Sequence, residues 1–302
     1  MIEKRFVDLY ASASGVDRLV AERDVVLTYI LKMMKEDGII EDLALKGGTC
    51  LRKMYLGRLG RFSEDLDFTL IGYDLARLER RFSSFIEGAQ VHGFAMSFDK
   101  LRKSWGGSFA CDVQYSHEWN SGEFKFEVSL REDPVLEVRD RGIRDELYFK
   151  YTEFKPFKIP CMQLEEVLAE KIRATYQRAT TRDVWDLYQY ATRPYDQGLV
   201  KRLAVVKFWN DESEYDPGKL LDKIRTMKID FSEIEYLLKN QEHPKEEEIK
   251  ARILSNYGYL KDLDDVLIEI LEDARKHRET VLVKKTCEEL RNWRIEGKES
   301  RS

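Results

Sequence analysis

The chain has 302 residues but only four cysteines and four histidines. The cysteines lie far apart in the sequence and form no C-x-x-C pair, which argues against a disulfide framework or a structural zinc site. Reduced thiols in the cytoplasm fit this pattern best. The histidines are scattered and indicate no metal cluster. These cysteines are Cys50, Cys111, Cys161 and Cys287.

Long apolar runs and a basic charge excess are also missing. No run approaches the roughly 18 apolar residues that would indicate a membrane helix. The charged start, MIEKRFVDLYASAS, lacks the apolar region of a signal peptide. We therefore expect a cytoplasmic protein with no membrane partner. Because the formal net charge is -5, any contact with nucleic acid must use a local basic patch.

The hydrophobic pattern divides the chain into two parts near residue 160. Before this point, helical periods occur together with strands; from Phe94 to Lys158 three segments alternate at period two, as antiparallel strands do. After Pro160 every patterned segment has a helical period. The sequence therefore predicts a mixed-sheet α/β domain over residues 1–160 and an all-helical C-terminal domain over residues 161–302.

Four elements are predicted in the first 71 residues. A helix is expected to begin at Ser14 or Asp17 and to end at Gly38, because a capping residue precedes its apolar stripe and glycine follows it. A short apolar strand should then lead through two glycines into a second helix, followed by an alternating strand. These three segments are Leu43–Leu45, Thr49–Leu56 and Leu66–Ile71.

Asp65 and Asp67 lie one residue apart at the start of the last of these strands. Side chains alternate along a strand, so the two carboxylates should point to the same side while Leu66 and Phe68 face the core. Hard cations such as Mg2+ prefer oxygen ligands. Transfer of a nucleotidyl group uses two such cations, which activate the attacking oxygen and neutralise the leaving pyrophosphate. The pair is therefore a candidate metal site.

Gly47 and Gly48 are candidates for holding the phosphates of the same reaction. At a helix N-terminus they leave backbone N–H groups accessible to an anion, and Thr49 adds a hydroxyl donor. An isolated Gly-Gly is more often a simple turn, and an isolated D-x-D is more often a solvated loop. Their combination, each at the end of a strand, favours a site for a triphosphate and its metals.

At these residues the sequence resembles a known family. The segments GGT, LRKMY and RFSEDLDF, with FKFEVSLRE at 124–132 and EKIRATYQRATTRDVWDLYQY at 170–190, are similar to the AbiEii/AbiGii toxin branch of the DNA polymerase β-like nucleotidyltransferase superfamily. This branch includes the MenT toxins. The resemblance extends over about Leu43–Tyr190, with the intervening strands matched weakly.

The resemblance implies a role for each matching residue. Gly48 and Thr49 match the glycine-serine signature, and Asp65 and Asp67 match the two metal ligands. Arg61 and Ser63 match the basic and hydroxyl residues that precede those ligands, so Gly47, Gly48, Thr49, Arg61, Ser63 and Lys171 are the implied nucleotide-binding residues. Glu127 occupies the position of the third carboxylate, with Glu in place of the commoner Asp, as a metal ligand or a general base. Lys171 and Asp183 match the downstream lysine and aspartate motifs and complete the implied catalytic set.

For several of these residues the sequence alone favours an ordinary structural role. Glu127 could be a strand glutamate paired with Lys125 or Arg131. Lys171 could be a surface lysine, and Asp183 a favourable charge at the start of a helix.

The family implies an Mg2+-dependent transfer of NMP from an NTP donor to RNA, at the 3′ end of a tRNA in the better understood branch. It also implies a toxin with a cognate antitoxin protein, in a toxin–antitoxin or phage-defence system. Two alternatives remain open on the sequence alone. The acceptor could be a protein or small-molecule hydroxyl, or the chain could be a non-catalytic nucleic-acid or protein binding module on the same fold.

Overall fold

A computed structural model describes residues 2–72, 75–88, 95–99, 101–104, 108–152, 154–239, 243–273 and 280–293. The chain forms two compact units. The first comprises Met1–Pro134, Val138–Met162 and Ser232–Glu242, and the second comprises Val135–Glu137, Gln163–Phe231 and His243–Ser302. The first unit thus includes a stretch beyond residue 160 that the sequence analysis assigned to the helical part. The predicted domain boundary itself stays a prediction.

The first unit is built on an eight-stranded mixed sheet with the order β3-β5-β6-β2-β1-β8-β7, in which β4 pairs with β5. The β2–β6 and β1–β8 pairs are parallel, and the remaining pairs are antiparallel. The strands are β1 Leu43–Lys46, β2 Leu66–Leu70, β3 Ala95–Phe98, β4 Arg102–Ser104, β5 Ser108–His117, β6 Asn120–Ser129, β7 Arg139–Gly142 and β8 Lys158–Cys161.

Four α-helices belong to the described part of the first unit. They are α1 Lys4–Ser14, α2 Arg18–Asp37, α3 Gly47–Cys50 and α4 Leu75–Gly88. The predicted signals hold for α2: the Asp17 side chain accepts from the backbone of Leu19 at 2.7 Å, and Gly38 ends the helix at φ +81. Helix α1 was not predicted from the sequence.

The predicted helix over Thr49–Leu56 was only partly correct. Helix α3 is one turn long and passes into a wider π-helical turn over Leu51–Leu56. Such turns replace the usual spacing with i→i+5 bonds. Arg52 and Lys53 within it are 1% and 2% exposed, so both charged side chains turn into the protein.

One face of the sheet is covered by aromatic side chains around α4. The Phe82 ring lies 4.5 Å from the ring of Phe126 on β6 and 5.9 Å from that of Phe109 on β5. Phe68 on β2 is 5.3 Å from Phe126. Because the alternate residues of β2 and β6 are committed to this core, Asp67 and Glu127 are left on the opposite face.

The described part of the second unit is helical, as predicted. Its helices are α5 Leu164–Gln177, α6 Thr181–Tyr190, α7 Gln197–Asn210, α8 Pro217–Thr226, α9 Glu246–Asn256, α10 Asp265–Asp273 and α11 Thr280–Arg291. The helix predicted over IEYLLKN is only a 3-10 turn, Glu235–Leu237, and it belongs to the first unit. None of the described helices is both long and apolar enough to cross a membrane.

Candidate active site

The two aspartates lie at the start of β2. Asp65 directly precedes the strand and Asp67 is its second residue; both side chains are half-buried. Leu66 and Phe68 are fully buried in the core, as the alternation required. The carboxylates therefore lie where a sheet face meets solvent, accessible to a cation and to its water.

Glu127 lies beside Asp67 on the neighbouring strand. The parallel register of β2 and β6 pairs Asp67 with Glu127 and Leu66 with Phe126. Adjacent strands are separated by about 4.8 Å, and paired side chains share a face. The structure thus brings Glu127 to the aspartates across 60 residues of sequence, the position that the resemblance implied for the third carboxylate.

The glycine turn meets the aspartates at close range. Gly47 has φ +69, and a Cβ atom built on it would lie 2.4 Å from Oδ2 of Asp67. A Cβ atom on Gly48 would lie 2.9 Å from Nη2 of Arg61 and 3.0 Å from Oγ of Ser63. The turn therefore packs its bare backbone against the predicted metal ligand and against the two residues predicted to bind the nucleotide.

This packing predicts a large effect of Gly47→Ala. The methyl group would overlap the Asp67 carboxylate, and alanine would be strained at this positive φ. We expect the variant to lose roughly 1–3 kcal/mol of unfolding free energy and most of its activity. Urea unfolding and a nucleotidyl transfer assay measure the two effects. Gly142→Ala is the matched control, since a Cβ atom there meets nothing within 4 Å. Wild-type behaviour of Gly47→Ala would contradict the role of the turn.

The hydroxyl of Thr49, which the sequence suggested as a donor to the phosphates, contacts the protein backbone in the structure. This buried hydroxyl donates to the backbone carbonyl of Asp65 at 2.5 Å. A threonine hydroxyl has a single proton to donate. The side chain of Thr49 is therefore a positioning group for Asp65, and its backbone N–H is the group that remains suited to a phosphate.

Lys125 is a member of the site that the sequence analysis treated only as a structural partner of Glu127. Its Nζ donates to Oε2 of Glu127, on the same face of β6. Burial works to lower the pKa of Lys125, but the bond to Glu127 and the charges of Glu127, Asp67 and Asp65 raise it above its usual value. The three carboxylates thus stabilise the protonated form of Lys125.

Asp65 and Asp67 fit Mg2+ as a partial set of ligands. Among the described residues, no three acidic, histidine or cysteine side chains converge closely enough to hold a metal ion by themselves. Mg2+ is commonly bound by one or two carboxylates, with water and substrate phosphates completing its shell. Asp65 and Asp67, with the bare Gly47 turn beside them, supply that kind of incomplete site.

Lys171 and Asp183 meet in the second unit. Nζ of Lys171 lies 3.1 Å from Oδ1 of Asp183 and 2.7 Å from Oδ2 of Asp186, and all three residues are buried. Asp183 also accepts from Oγ1 of Thr180 at 2.7 Å and from Nε of Arg178 at 2.7 Å. Both oxygens of Asp183 are engaged, so its contacts are those of a positioning residue and not of one that touches a reactant.

Arg178 is a second residue that sequence reasoning missed. Its side chain is 63% exposed, yet Nε and Nη2 both bond to the fully buried Asp183, at 2.7 and 3.1 Å. Although burial works to raise the pKa of Asp183, the charges of Lys171 and Arg178 and their hydrogen bonds hold it well below its usual value. An ionised Asp183 thus orients one buried cation, Lys171, and one exposed cation, Arg178. The only sequence signal for the second is an arginine five residues before Asp183.

A comparison with protein-family models matches residues 30–267 to the family described as "Nucleotidyl transferase AbiEii toxin, Type IV TA system". This match covers more than half of the chain. The chain belongs to the AbiEii nucleotidyltransferase toxin family. Membership confirms the resemblance and makes the chain a nucleotidyltransferase. It also implies an NTP substrate and an antitoxin partner.

Solved structures agree with the AbiEii assignment at the level of the fold. The chain is similar to MenT4, a nucleotidyltransferase toxin from Mycobacterium tuberculosis, with 24% identity and a TM-score of 0.79 over 96% of this chain and 100% of that one. A second similar structure is JHP933 from Helicobacter pylori, with 20% identity and a TM-score of 0.50 over 86% and 98% of the two chains. A search of curated proteins found no match.

Proposed function

We propose that this AbiEii protein is an Mg2+-dependent toxin of the cytoplasm that transfers NMP from an NTP to RNA, with the 3′ end of tRNA as acceptor. A cognate antitoxin protein neutralises it, in a toxin–antitoxin system that serves phage defence. The observation that supports the chemistry best is the register of β2 and β6, which pairs Asp67 with Glu127 beside the Gly47 turn.

Different residues of the first unit would bind the metal and the triphosphate. Asp65 and Asp67 would hold Mg2+, with Glu127 as a third ligand or as the acceptor of the proton from the attacking hydroxyl. The metal, when bound, supplies charge stabilisation and activates the attacking oxygen. The backbone N–H groups of Gly47 and Gly48, together with Arg61 and Ser63, would bind the triphosphate. Thr49 holds Asp65 in place.

In the second unit, Lys171, which matches the lysine of the family motif, would contribute positive charge to nucleotide binding, and Asp183 would position the Lys171 ammonium group. We therefore expect Lys171→Met to raise the KM for NTP and to lower kcat, by roughly 3–4 kcal/mol of transition-state stabilisation in total, the size found for removing one preorganised hydrogen-bond donor. Steady-state kinetics measure both constants. Lys219, which lies on α8 of the same unit, provides the control as Lys219→Met. Equal constants for the two variants would remove Lys171 from the active site.

The proposed reaction is tested by incubating the protein with each labelled NTP, Mg2+ and total RNA. Label should enter RNA only when Mg2+ is present, and the variant Asp65→Asn/Asp67→Asn should transfer none while keeping its circular dichroism spectrum. Protein and small-molecule acceptors are tested in parallel, which separates the proposed acceptor from the alternative. Label that appears only in protein or metabolites would overturn the RNA assignment, and transfer by the double variant would overturn the site.

The toxin role has its own test. Expression of the chain in a bacterial host should stop growth, and co-expression of the protein encoded by the neighbouring gene should restore it. Growth arrest that persists with the neighbour would contradict the proposed pairing. No arrest at all would contradict the toxin role. Phage plating on cells with and without the gene pair tests the defence role.

A further inference from the structure

The loop that carries the metal-binding motif has no regular secondary structure of its own. Residues 61–65 form neither helix nor strand, so their geometry depends on contacts with other parts of the first unit. Asp65 is the last residue of this loop, and its position therefore depends on how the loop is held.

A distant stretch of chain holds the loop from one side. Ser232–Glu242 belongs to the first unit although the preceding part of that unit ends at Met162. Within this stretch, the backbone carbonyl of Leu237 accepts from the backbone N–H of Phe62 at 2.9 Å. Leu237 and Ile234 are fully buried, which fixes the stretch in the unit.

Glu64 is the loop residue that receives side-chain contacts. The hydroxyl of Tyr236 donates to Oε2 of Glu64 at 2.6 Å, and Nη1 of Arg23 on α2 donates to Oε1 at 2.6 Å. The Glu64 side chain is only 17% exposed and the Arg23 side chain 29%. Each carboxylate oxygen of Glu64 thus has a charge-assisted or hydroxyl partner from a different element, which restrains both the side chain and the backbone next to Asp65.

We propose that Tyr236 and Arg23 are positioning residues of the nucleotidyltransferase site: by clamping Glu64 they set the position of Asp65 and so the affinity for the metal. This proposal rests on the proposed function, since it requires Asp65 and Asp67 to bind a divalent cation. Partners that orient metal ligands contribute strongly to metal affinity in other proteins. Here the partner acts through the residue adjacent to the ligand, while Thr49 holds that ligand's own carbonyl.

The test measures binding of Mn2+ alone to the full chain, by electron paramagnetic resonance or calorimetry. Tyr236→Phe removes one hydroxyl and keeps the ring. We expect it to weaken Mn2+ binding roughly 10-fold, and Arg23→Gln to do the same, while the thermal unfolding midpoint of Tyr236→Phe stays near that of the wild type. A double variant should weaken binding less than the product of the two single effects, because both contacts act through Glu64.

Two controls separate the possible failures. Tyr151→Phe removes a hydroxyl from another tyrosine of the first unit, 46% exposed and stacked on Phe6, and should bind Mn2+ like the wild type. Asp67→Asn should bind little or none. If Tyr236→Phe and Arg23→Gln match Tyr151→Phe while Asp67→Asn fails to bind, the clamp is wrong and the metal site stands. If Asp67→Asn binds Mn2+ normally, the metal site itself is wrong, and the clamp with it.

Discussion

Replacing Asp67 by Asn should reduce nucleotidyl transfer by a factor of at least about 10³, comparable to the loss of a main electrostatic contact in other active sites. The substitution keeps the size of the side chain and removes the charge that the metal requires. Asp67 lies in register with Glu127 and against the Gly47 turn, so no other carboxylate can take its place without moving the backbone. Label transfer under saturating NTP is the measurement.

Asp112→Asn is the matched control for this experiment. Asp112 lies on β5 of the same sheet, and its carboxylate pairs with Arg102 at 2.6 Å with 38% of its side chain exposed. The same change of charge on the same sheet should leave transfer within about twofold, because exposed ion pairs contribute little. If the two variants lose activity equally, the effect belongs to the net charge of the sheet and not to a metal site.

Asp24→Asn should destabilise the protein by about 3–5 kcal/mol, the usual effect of removing one partner from a buried ion network. The Asp24 carboxylate accepts from Lys53 at 2.9 Å and from the Tyr10 hydroxyl at 2.9 Å, and Arg52 is 3.2 Å from Glu146. The four charged side chains are at most 2% exposed. Neutralising Asp24 leaves two buried cations with one anion. Equilibrium unfolding in urea measures the effect.

Two comparisons make this stability prediction specific. Asp222→Asn breaks an exposed pair with Arg225 and should change stability by less than about 1 kcal/mol. Lowering the pH should decrease the folding stability, as Asp24→Asn does. Burial opposes ionisation of Asp24, but Lys53 and Arg52 lower its pKa below the ordinary value. The contribution of the ionised Asp24 to folding stability is therefore present above about pH 4 and is lost as the pH falls further. A stability of Asp24→Asn equal to that of Asp222→Asn would contradict a structural role for the network.

The part of the site that could be predicted from sequence is the part formed by neighbouring residues. Gly47, Gly48 and the aspartates each lie where a strand begins or ends, so period and turn signals were enough to predict them. Glu127 could be placed only through the family resemblance, because the sequence of a single strand does not determine its register with a neighbouring strand. The structure places Glu127 in register with Asp67.

Other features could not be predicted because they depend on long-range contacts. Arg52 and Lys53 look like the polar side of a short helix, but the distant carboxylates of Asp24 and Glu146 pair with them and stabilise their burial. Tyr236 lies 172 residues from Glu64 in the sequence, in a segment that has a helical pattern of its own. No local signal could connect it with the metal-binding loop.

The discontinuous first unit has a consequence for how the toxin is made. The ribosome delivers residues 1–162 long before Tyr236, and the stretch Gln163–Phe231 of the second unit is synthesised in between. A nascent chain can therefore form most of the sheet while the 61–65 loop still lacks the bond to Leu237 and the clamp on Glu64. Completion of the loop is deferred to late translation, so a chain released prematurely before residue 236 ends without the contact that positions Asp65.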